Sequence, residues 1–280
     1  HVARDYLAAA VAARSAKGVR LVLTRHVMFP MKSFHRFALR NVDAAIAVSS
    51  AVGTQLARIF PAEKIHLIPN GIDLNSGADS NRAEIAAEFR TLHSIPADAP
   101  LIVTLGELKV LKGQRDFVLA ANEVIKQHPD ARFVIAGKDN SIDQKFRREI
   151  KRLVRVFGME SNFLWLDWLD DVRPLLWATD IFISPSHSES FGLAILDAMA
   201  VGCPVIATAT DGARELMIDE NAIVPIRDPL ALATKISWFL DNPEEKRLHG
   251  ERLQLKAREK FGLAAMVDAT ENLYRKTLGG

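Results

Sequence analysis

Short runs of β-branched and aliphatic residues alternate along the chain with longer stretches of helical periodicity, and nothing else in the sequence restricts the fold as much. Strands separated by a helix's length pair in parallel, because the crossover helix returns each strand to the same sheet in the same direction. Two series of such units are expected. In the first, helix Arg4–Ala16 precedes strand Arg20–Leu23, a helix over Ser33–Arg40 precedes strand Ala44–Val48, and helix Ala51–Ile59 precedes strand Ile65–Ile68. The second follows the Pro-punctuated stretch Ser94–Pro100. Its strands are Leu101–Leu105, Arg132–Ala136, Phe163–Leu166, Ile181–Ser184, Val205–Ala207 and a short Ala222–Val224. Helices Gln114–Gln127, Asp143–Phe157, Val172–Ala178, Gly192–Ala200 and Leu230–Leu240 supply its crossovers, and helical stretches Glu244–Lys260 and Leu263–Leu278 follow. The expected class is α/β, with two Rossmann-like doubly wound parallel sheets. Three strands are fewer than such a domain normally holds, so the first is expected to be incomplete.

The expected boundaries are 1–95 and 96–260, with 261–280 a terminal helix able to pack back on the first domain. A chain of 280 residues is long enough for two cores. Apolar residues at 49% and charged residues at 25% exclude a disordered or fibrous class. Every apolar run is interrupted before the roughly 20 residues of a membrane span. The single Cys203 cannot form an internal disulfide or a cysteine metal site, which fits a reducing, cytoplasmic compartment. The chain opens on His1 without a signal-like segment, so its natural N-terminus is expected to be missing.

A net charge of +2 conceals an asymmetry: residues 1–75 hold ten Lys/Arg against four Asp/Glu, and the remainder 26 against 30. A basic front suits an anionic substrate, a peripheral contact with an anionic membrane face, or simply solvent. Within it, Phe29, Met31, Phe34 and Phe37 interleave with Lys32, His35, Arg36 and Arg40. The pattern suits an interfacial or acceptor-binding helix; a core-packed helix with a basic outer face is the preferred expectation.

The motif richest in chemistry runs from Ser186 through His-Ser-Glu-Ser-Phe-Gly-Leu-Ala-Ile-Leu-Asp to Ala200, then Gly202-Cys-Pro-Val-Ile-Ala207. It reads as loop, helix start and strand. Gly192 leaves room at the helix start, where backbone amides and the positive dipole end attract a diphosphate. Glu189 before that start and Asp197 inside the helix can both flank one ligand above the strand ends. A second block, Gly106-Glu-Leu-Lys-Val-Leu-Lys-Gly113, forms a lysine-bearing turn after a strand. The Asn70-Gly71 pair supplies positive φ cheaply and reads as a structural turn. Thr24-Arg-His26 ends a strand, which aims His26 at a ligand crevice. Asp167-Trp-Leu169 follows another strand; Trp168 can stack on a base, although packing is the preferred reading. The scattered His and Asp residues show no close-spaced metal-ligand motif, so metal independence is expected. No G-x-G-x-x-G follows a strand, which argues against a dinucleotide-dependent dehydrogenase.

Glu189 and Asp197 stand in a block that resembles the family-4 glycosyltransferases of the "glycosyl transferases group 1" type, whose hallmark is a Glu, seven residues and a second Glu. The resemblance implies a GT-B fold, with two Rossmann-like domains facing a cleft. It implies a hexosyltransferase that moves sugar from a nucleoside-diphosphate donor to a glycan or lipid-linked acceptor with retention. By carry-over, Glu189 contacts the transferred sugar, the amides of Phe191, Gly192 and Leu193 hold sugar and phosphate, and Asp197, one methylene shorter than the usual Glu, binds the ribose. Gly106, Lys109, Lys112 and Gly113 occupy the family's Gly-Arg-Leu…Lys-Gly turn. Lys112 is its cation, and Glu107 stands where an Arg is typical, leaving Lys109 as the other candidate. The resemblance places His26 near sugar and acceptor, and Trp168 and Leu169 near the nucleobase. It implies no cofactor beyond a UDP- or GDP-sugar as donor substrate, no nucleic-acid partner, and a role in cell-envelope polysaccharide or lipopolysaccharide synthesis. A non-catalytic nucleotide-sugar-binding module and a sugar-nucleotide epimerase are the alternatives.

Overall fold

The computed structural model describes residues 5–29, 31, 34–74, 80–217 and 219–279. Arg4 at the start of the first expected helix, and Lys32 and Ser33 of the amphipathic stretch, lie outside them. The chain forms two compact units. One runs to Asp73 and includes Glu189–Phe191 and the residues from Phe261 onward; the other spans Leu74–Ser188 and Gly192–Lys260.

The first unit begins with α1 (Tyr6–Ser15), β1 (Val22–Arg25), α2 (Phe34–Ala38), β2 (Ala44–Ala47), α3 (Ser50–Leu56) and β3 (Ile65–Leu67). Its three strands are parallel in the order β1-β2-β3, with Val22 opposite Ala44 and Ala45 opposite Ile65. All four residues of β2 are buried, as a central parallel strand covered on both faces requires. Ser49 caps α3, its Oγ accepting from the Val52 amide at 3.3 Å.

The core-packed expectation for the amphipathic stretch fails. α2 buries none of its residues, and Phe29, Phe34 and Phe37 are mostly exposed. Five residues make under two turns, too short a helix to present a full apolar stripe. The Phe37 ring is instead covered by the Arg40 guanidinium, 4.6 Å from its centroid.

The second unit holds α4 (Arg82–Leu92), β4 (Leu101–Leu105), α5 (Gln114–Ile125), β5 (Arg132–Ala136), α6 (Lys145–Val156), β6 (Phe163–Leu166) and α7 (Arg173–Ala178). It continues with β7 (Ile181–Ser184), α8 (Leu193–Ala200), β8 (Val205–Thr208), α9 (Asp211–Leu216), β9 (Ile223–Val224), α10 (Pro229–Asp241) and α11 (Pro243–Lys260). All six strands are parallel in the order β6-β5-β4-β7-β8-β9, the doubly wound arrangement in which the winding direction reverses between β4 and β7. The aromatic rings of Phe117, Phe133 and Phe163 interlock under one face, with centroids 5.3–6.3 Å apart.

α4 and α9 carry no clear signal in the sequence. α4 is fixed by tertiary contacts: Arg90 donates to the Ala99 and Ala178 carbonyls at 2.9 and 2.8 Å and pairs with Asp180 at 2.9 Å. Phe89 joins Leu101, Val103, Leu175 and Ala178 in one cluster.

The last helix, α12 (Leu263–Leu278), belongs to the first unit, where Leu273 and Met266 pack with Ala44, Ile46 and Ile68. Ile72 exchanges backbone hydrogen bonds with Phe261 and Leu263, at 2.8 and 2.9 Å. The Asn70-Gly71 turn therefore differs from its expected form: neither residue adopts a positive φ. Gly71 is required by proximity, since a Cβ there would lie 2.8 Å from the Leu263 Cα and 2.9 Å from the Gly262 carbonyl oxygen. Among the described residues no helix is long and apolar enough to cross a membrane.

Candidate functional site

In an open parallel sheet, ligands bind beyond the carboxyl ends of the strands where the winding reverses. Here that place is flanked by the loop after β4, carrying Gly106, Lys109, Lys112 and Gly113, and the loop after β7, which leads into α8. The structure brings the two loops into contact. The His187 amide donates to the Leu111 carbonyl at 2.8 Å. Gly113, at φ +69°, sits so close to Pro185 that a Cβ would come within 1.8 Å of its carbonyl oxygen. The side chain of Lys112 runs past Gly106, its Cδ 3.9 Å from where a Cβ would stand. Gly106 is itself backed by Gly137, whose own Cβ would fall 1.9 Å from the Gly106 carbonyl oxygen.

Electrostatically the β4–α5 loop is less positive than its two lysines suggest. Lys109 pairs with Glu107 at 2.5 Å, and both side chains are nearly half exposed. That hydrogen bond, Asn140, and the charges of Lys109 and Lys112 hold the Glu107 carboxyl below its ordinary range. Gln114 donates to the Glu107 carbonyl at 3.0 Å, fixing the loop's backbone.

Gly192 opens α8 in the left-handed region, φ +100°, without a side-chain cap. The first amides of a helix have no intrahelical acceptor, so those from Gly192 into the first turn present donors and the positive dipole end to a ligand. Asp197, one turn on, is partly buried, and desolvation pushes its carboxyl up to about 6. Thr208 on β8 braces the preceding loop by donating to the Ser186 carbonyl.

A second anchor of that loop is one the sequence reading passed over. His187 Nε2 lies 2.7 Å from Asp116 Oδ2 on the first turn of α5, with both side chains largely buried. His187 Nδ1 is buried and has no hydrogen-bond partner. A His inside a glycine- and serine-rich loop, with an Asp four residues after Lys112, was the available signal.

The other candidates are distributed differently. Leu169 lies partly buried against the α4–α7 core cluster. Trp168 is 72% exposed, so packing, the preferred expectation, is not its role. It follows the edge strand β6, where the neighbouring Asp167 is held by Arg147. Glu189 and Phe191 belong to the first unit, as does His26. Ser190 Oγ donates to the His26 carbonyl at 2.6 Å, and the buried Phe191 ring meets Phe261 edge-on at 5.8 Å. Burial, which withholds water from the charged form, lowers the His26 imidazole from its ordinary value. Among the described residues no group of three or more His, Cys, Asp or Glu is placed to hold a metal ion.

Two parallel α/β units, the second doubly wound with loops gathered at its switch point, define the GT-B class, and solved structures of that class match nearly the whole chain. The Anabaena protein HepE, crystallised with UDP and glucose, superposes with a TM-score of 0.87 over 97% of this chain and 75% of its own, at 22% identity, which shows the shared fold. The chain belongs to the glycosyl transferases group 1 family, whose model matches residues 99–242, while that of glycosyltransferase family 4 matches residues 1–76. Among its relatives, the D-inositol 3-phosphate glycosyltransferase of Xylanimonas cellulosilytica is 31% identical over 81% of the chain and 56% of its own length. The lipopolysaccharide core biosynthesis mannosyltransferase LpcC of Rhizobium leguminosarum is 26% identical over 93% and 72%. The chain spans somewhat under three fifths of the length of three such inositol-phosphate enzymes, from Kineococcus radiotolerans, Xylanimonas cellulosilytica and Catenulispora acidiphila.

Proposed function

We propose that this chain transfers a hexosyl unit from a nucleoside-diphosphate sugar to a glycan or lipid-linked acceptor, with retention and without a metal ion. The reading is carried by the contact between the β4–α5 and β7–α8 loops at the switch point, which sets a lysine-bearing turn beside an uncapped helix start. The diphosphate binds there, against the α8 amides and Lys112; Asp197 accepts from the ribose, and Trp168 with the Leu169 backbone meets the base. Glu189 contacts the hexose, and His26 serves the acceptor side. In the reaction the bond from the anomeric carbon to the diphosphate oxygen breaks through an oxocarbenium-like state. The acceptor oxygen bonds to the same face, and its proton passes to the departing diphosphate. Lys112 and the helix N-terminus offset the charge that builds on that leaving group. HepE was crystallised with UDP, and LpcC is a mannosyltransferase of lipopolysaccharide core synthesis, which supports a UDP- or GDP-hexose and an envelope glycan. Such an acceptor is assembled at the cytoplasmic membrane face, where the exposed Phe34 and Phe37 with Arg36 and Arg40 suit peripheral contact.

Calorimetric titration with UDP, GDP and their hexose conjugates tests the donor site, comparing wild type with Glu189→Ala and Lys112→Ala. Selective binding weakened by both changes supports the assignment, and a folded chain that binds none of them sinks it. Activity that survives exhaustive chelation supports metal independence. The neutralised Lys109 favours one second reading, a nucleotide-sugar-binding module without transferase activity. Tight donor binding with neither transfer nor donor hydrolysis would mark it.

A further inference from the structure

The back of the chain is slightly acidic in sum, yet it contains one strongly cationic helix. α6 carries six Lys/Arg and a single Glu in twelve residues. Ile150 and Val154 are buried on its inner side. Arg147, also partly buried, pairs with Asp167. Lys145, Arg148, Lys151, Arg152 and Arg155 are all exposed. At 100° per residue, the i, i+3 and i+4 spacing gathers Lys145, Arg148, Arg152 and Arg155 on one outward stripe. Their charges are barely answered within the protein. Lys145, Arg148 and Arg152 have no carboxylate partner among the described residues, and Arg155 reaches Glu160 only at 3.8 Å. Like charges at i, i+4 such as Arg148 and Arg152 weaken a helix, so this stripe is not there for stability.

Apolar side chains stand beside the charges. Val156 on the same face is 70% exposed, and Ile142, just ahead of the helix, is 89% exposed. Between α5 and α6 lies a groove over the buried Ile150, lined also by Leu153 and Val156, by Arg115 and Arg152, and by one carboxylate, Glu149. A helix that sets cations next to protruding aliphatic groups matches the headgroup region of a bilayer, where phosphates and acyl chains lie within one side chain's reach. A nucleic acid would use the cations but would leave Val156 and Ile142 in water.

We propose that the outward face of α6 is a docking surface for an anionic phospholipid bilayer, separate from the aromatic α2 segment of the first unit and independent of which sugar is transferred. The α6 cations pair with lipid phosphates, and Val156 and Ile142 enter the interface. Each Lys or Arg at an anionic leaflet raises partitioning by roughly fivefold.

The test is co-sedimentation of the full chain with phosphatidylglycerol–phosphatidylcholine vesicles and with phosphatidylcholine alone, for wild type, R148Q/R152Q and, as a control, R36Q/R40Q. Wild type is expected to pellet with the anionic vesicles only and to be released by high salt. R148Q/R152Q should bind about twenty-five-fold more weakly while melting at or above the wild-type temperature, because the repulsion at i, i+4 is relieved. No preference for anionic vesicles overturns the proposal. Full binding by R148Q/R152Q, with the loss falling on R36Q/R40Q, overturns it in favour of the first unit. Tighter retention on single-stranded DNA than on vesicles at equal salt overturns it in favour of a polyanion site.

Discussion

Gly113 and Gly158 offer a paired experiment on the loop contact at the switch point. They share almost the same backbone conformation, φ +69° and +68°, but their surroundings differ completely. A Cβ on Gly158 would meet nothing within 4 Å, whereas one on Gly113 would stand 1.8 Å from the Pro185 carbonyl oxygen and 2.6 Å from its carbon. Alanine at either position pays the left-handed strain of roughly 1–2 kcal/mol. At Gly113 the two loops must also separate, which adds about 1–3 kcal/mol of overpacking. Loss of the His187–Leu111 backbone bond adds about 1 kcal/mol. Gly113→Ala should therefore cost roughly 3–6 kcal/mol and lower the melting midpoint by roughly 6–24 °C, about three times the roughly 2–8 °C for Gly158→Ala. Differential scanning calorimetry measures both shifts, and titration with UDP asks whether the displaced loop still binds. Equal melting shifts for the two variants would refute the close approach of Gly113 to Pro185, and with it the argument that this contact shapes the site.

Asp197 ties stability to pH. Burial lifts its folded-state pKa to about 6, above the ordinary carboxylate value of about 3.9, so the folded protein holds the proton more tightly than the unfolded chain. Wild type should then lose roughly 2–3 kcal/mol relative to Asp197→Asn as pH rises from about 4 through 6, levelling off near pH ~7. Urea melts measure the gap, and parallel curves for the two proteins would contradict it. The same Asn variant should bind UDP more weakly despite its greater stability at neutral pH, since it gives up the charged ribose acceptor; unchanged UDP affinity at pH 8 would dismiss that role. Glu107→Gln releases Lys109 from a half-exposed pair worth under about 1 kcal/mol, so stability should hold while UDP affinity rises severalfold at low salt. An unchanged or weaker affinity would show that Lys109 does not face the diphosphate. Asp116→Ala strips His187 of its acceptor and should destabilise by about 1–3 kcal/mol, whereas Asp116→Asn, which keeps an acceptor oxygen, should recover most of the loss; equal melting of the two would argue against the hydrogen bond.

Much of the second unit could be read from residue order alone, because buried parallel strands are continuous apolar runs. Leu101–Leu105, Arg132–Ala136, Phe163–Leu166 and Ile181–Ser184 stand where that pattern puts them. What escaped the reading depends on partners distant in sequence. Gly71 has the dipeptide signature of a turn, but its smallness answers to α12, almost two hundred residues further on. Gly137 shows its purpose only when β5 is laid beside β4, and the His187–Asp116 pair only when two loops are folded together. α4 has weak amphipathic character and is held by Arg90, whose acceptors come from two separate segments, one around Ala99 and one over Ala178–Asp180. The charge on α6 was hidden by averaging: six cations on one helix vanish in a total taken over the whole back of the chain.

The placement of α12 bears on how the protein is made. The β1–β3 sheet closes its core with Leu273 and Met266, so its apolar face stays uncovered until the ribosome has produced the final helix. About 190 residues separate Asp73 from Leu263, which at ~5–20 residues per second amounts to roughly 10–40 s of synthesis. During that interval the six-stranded unit, whose strands and crossover helices are contiguous apart from Glu189–Phe191, can fold. The β1–β3 sheet meanwhile waits with Ala44, Ile46 and Ile68 not yet covered by α12, an apolar surface of the kind that unfinished chains expose to aggregation.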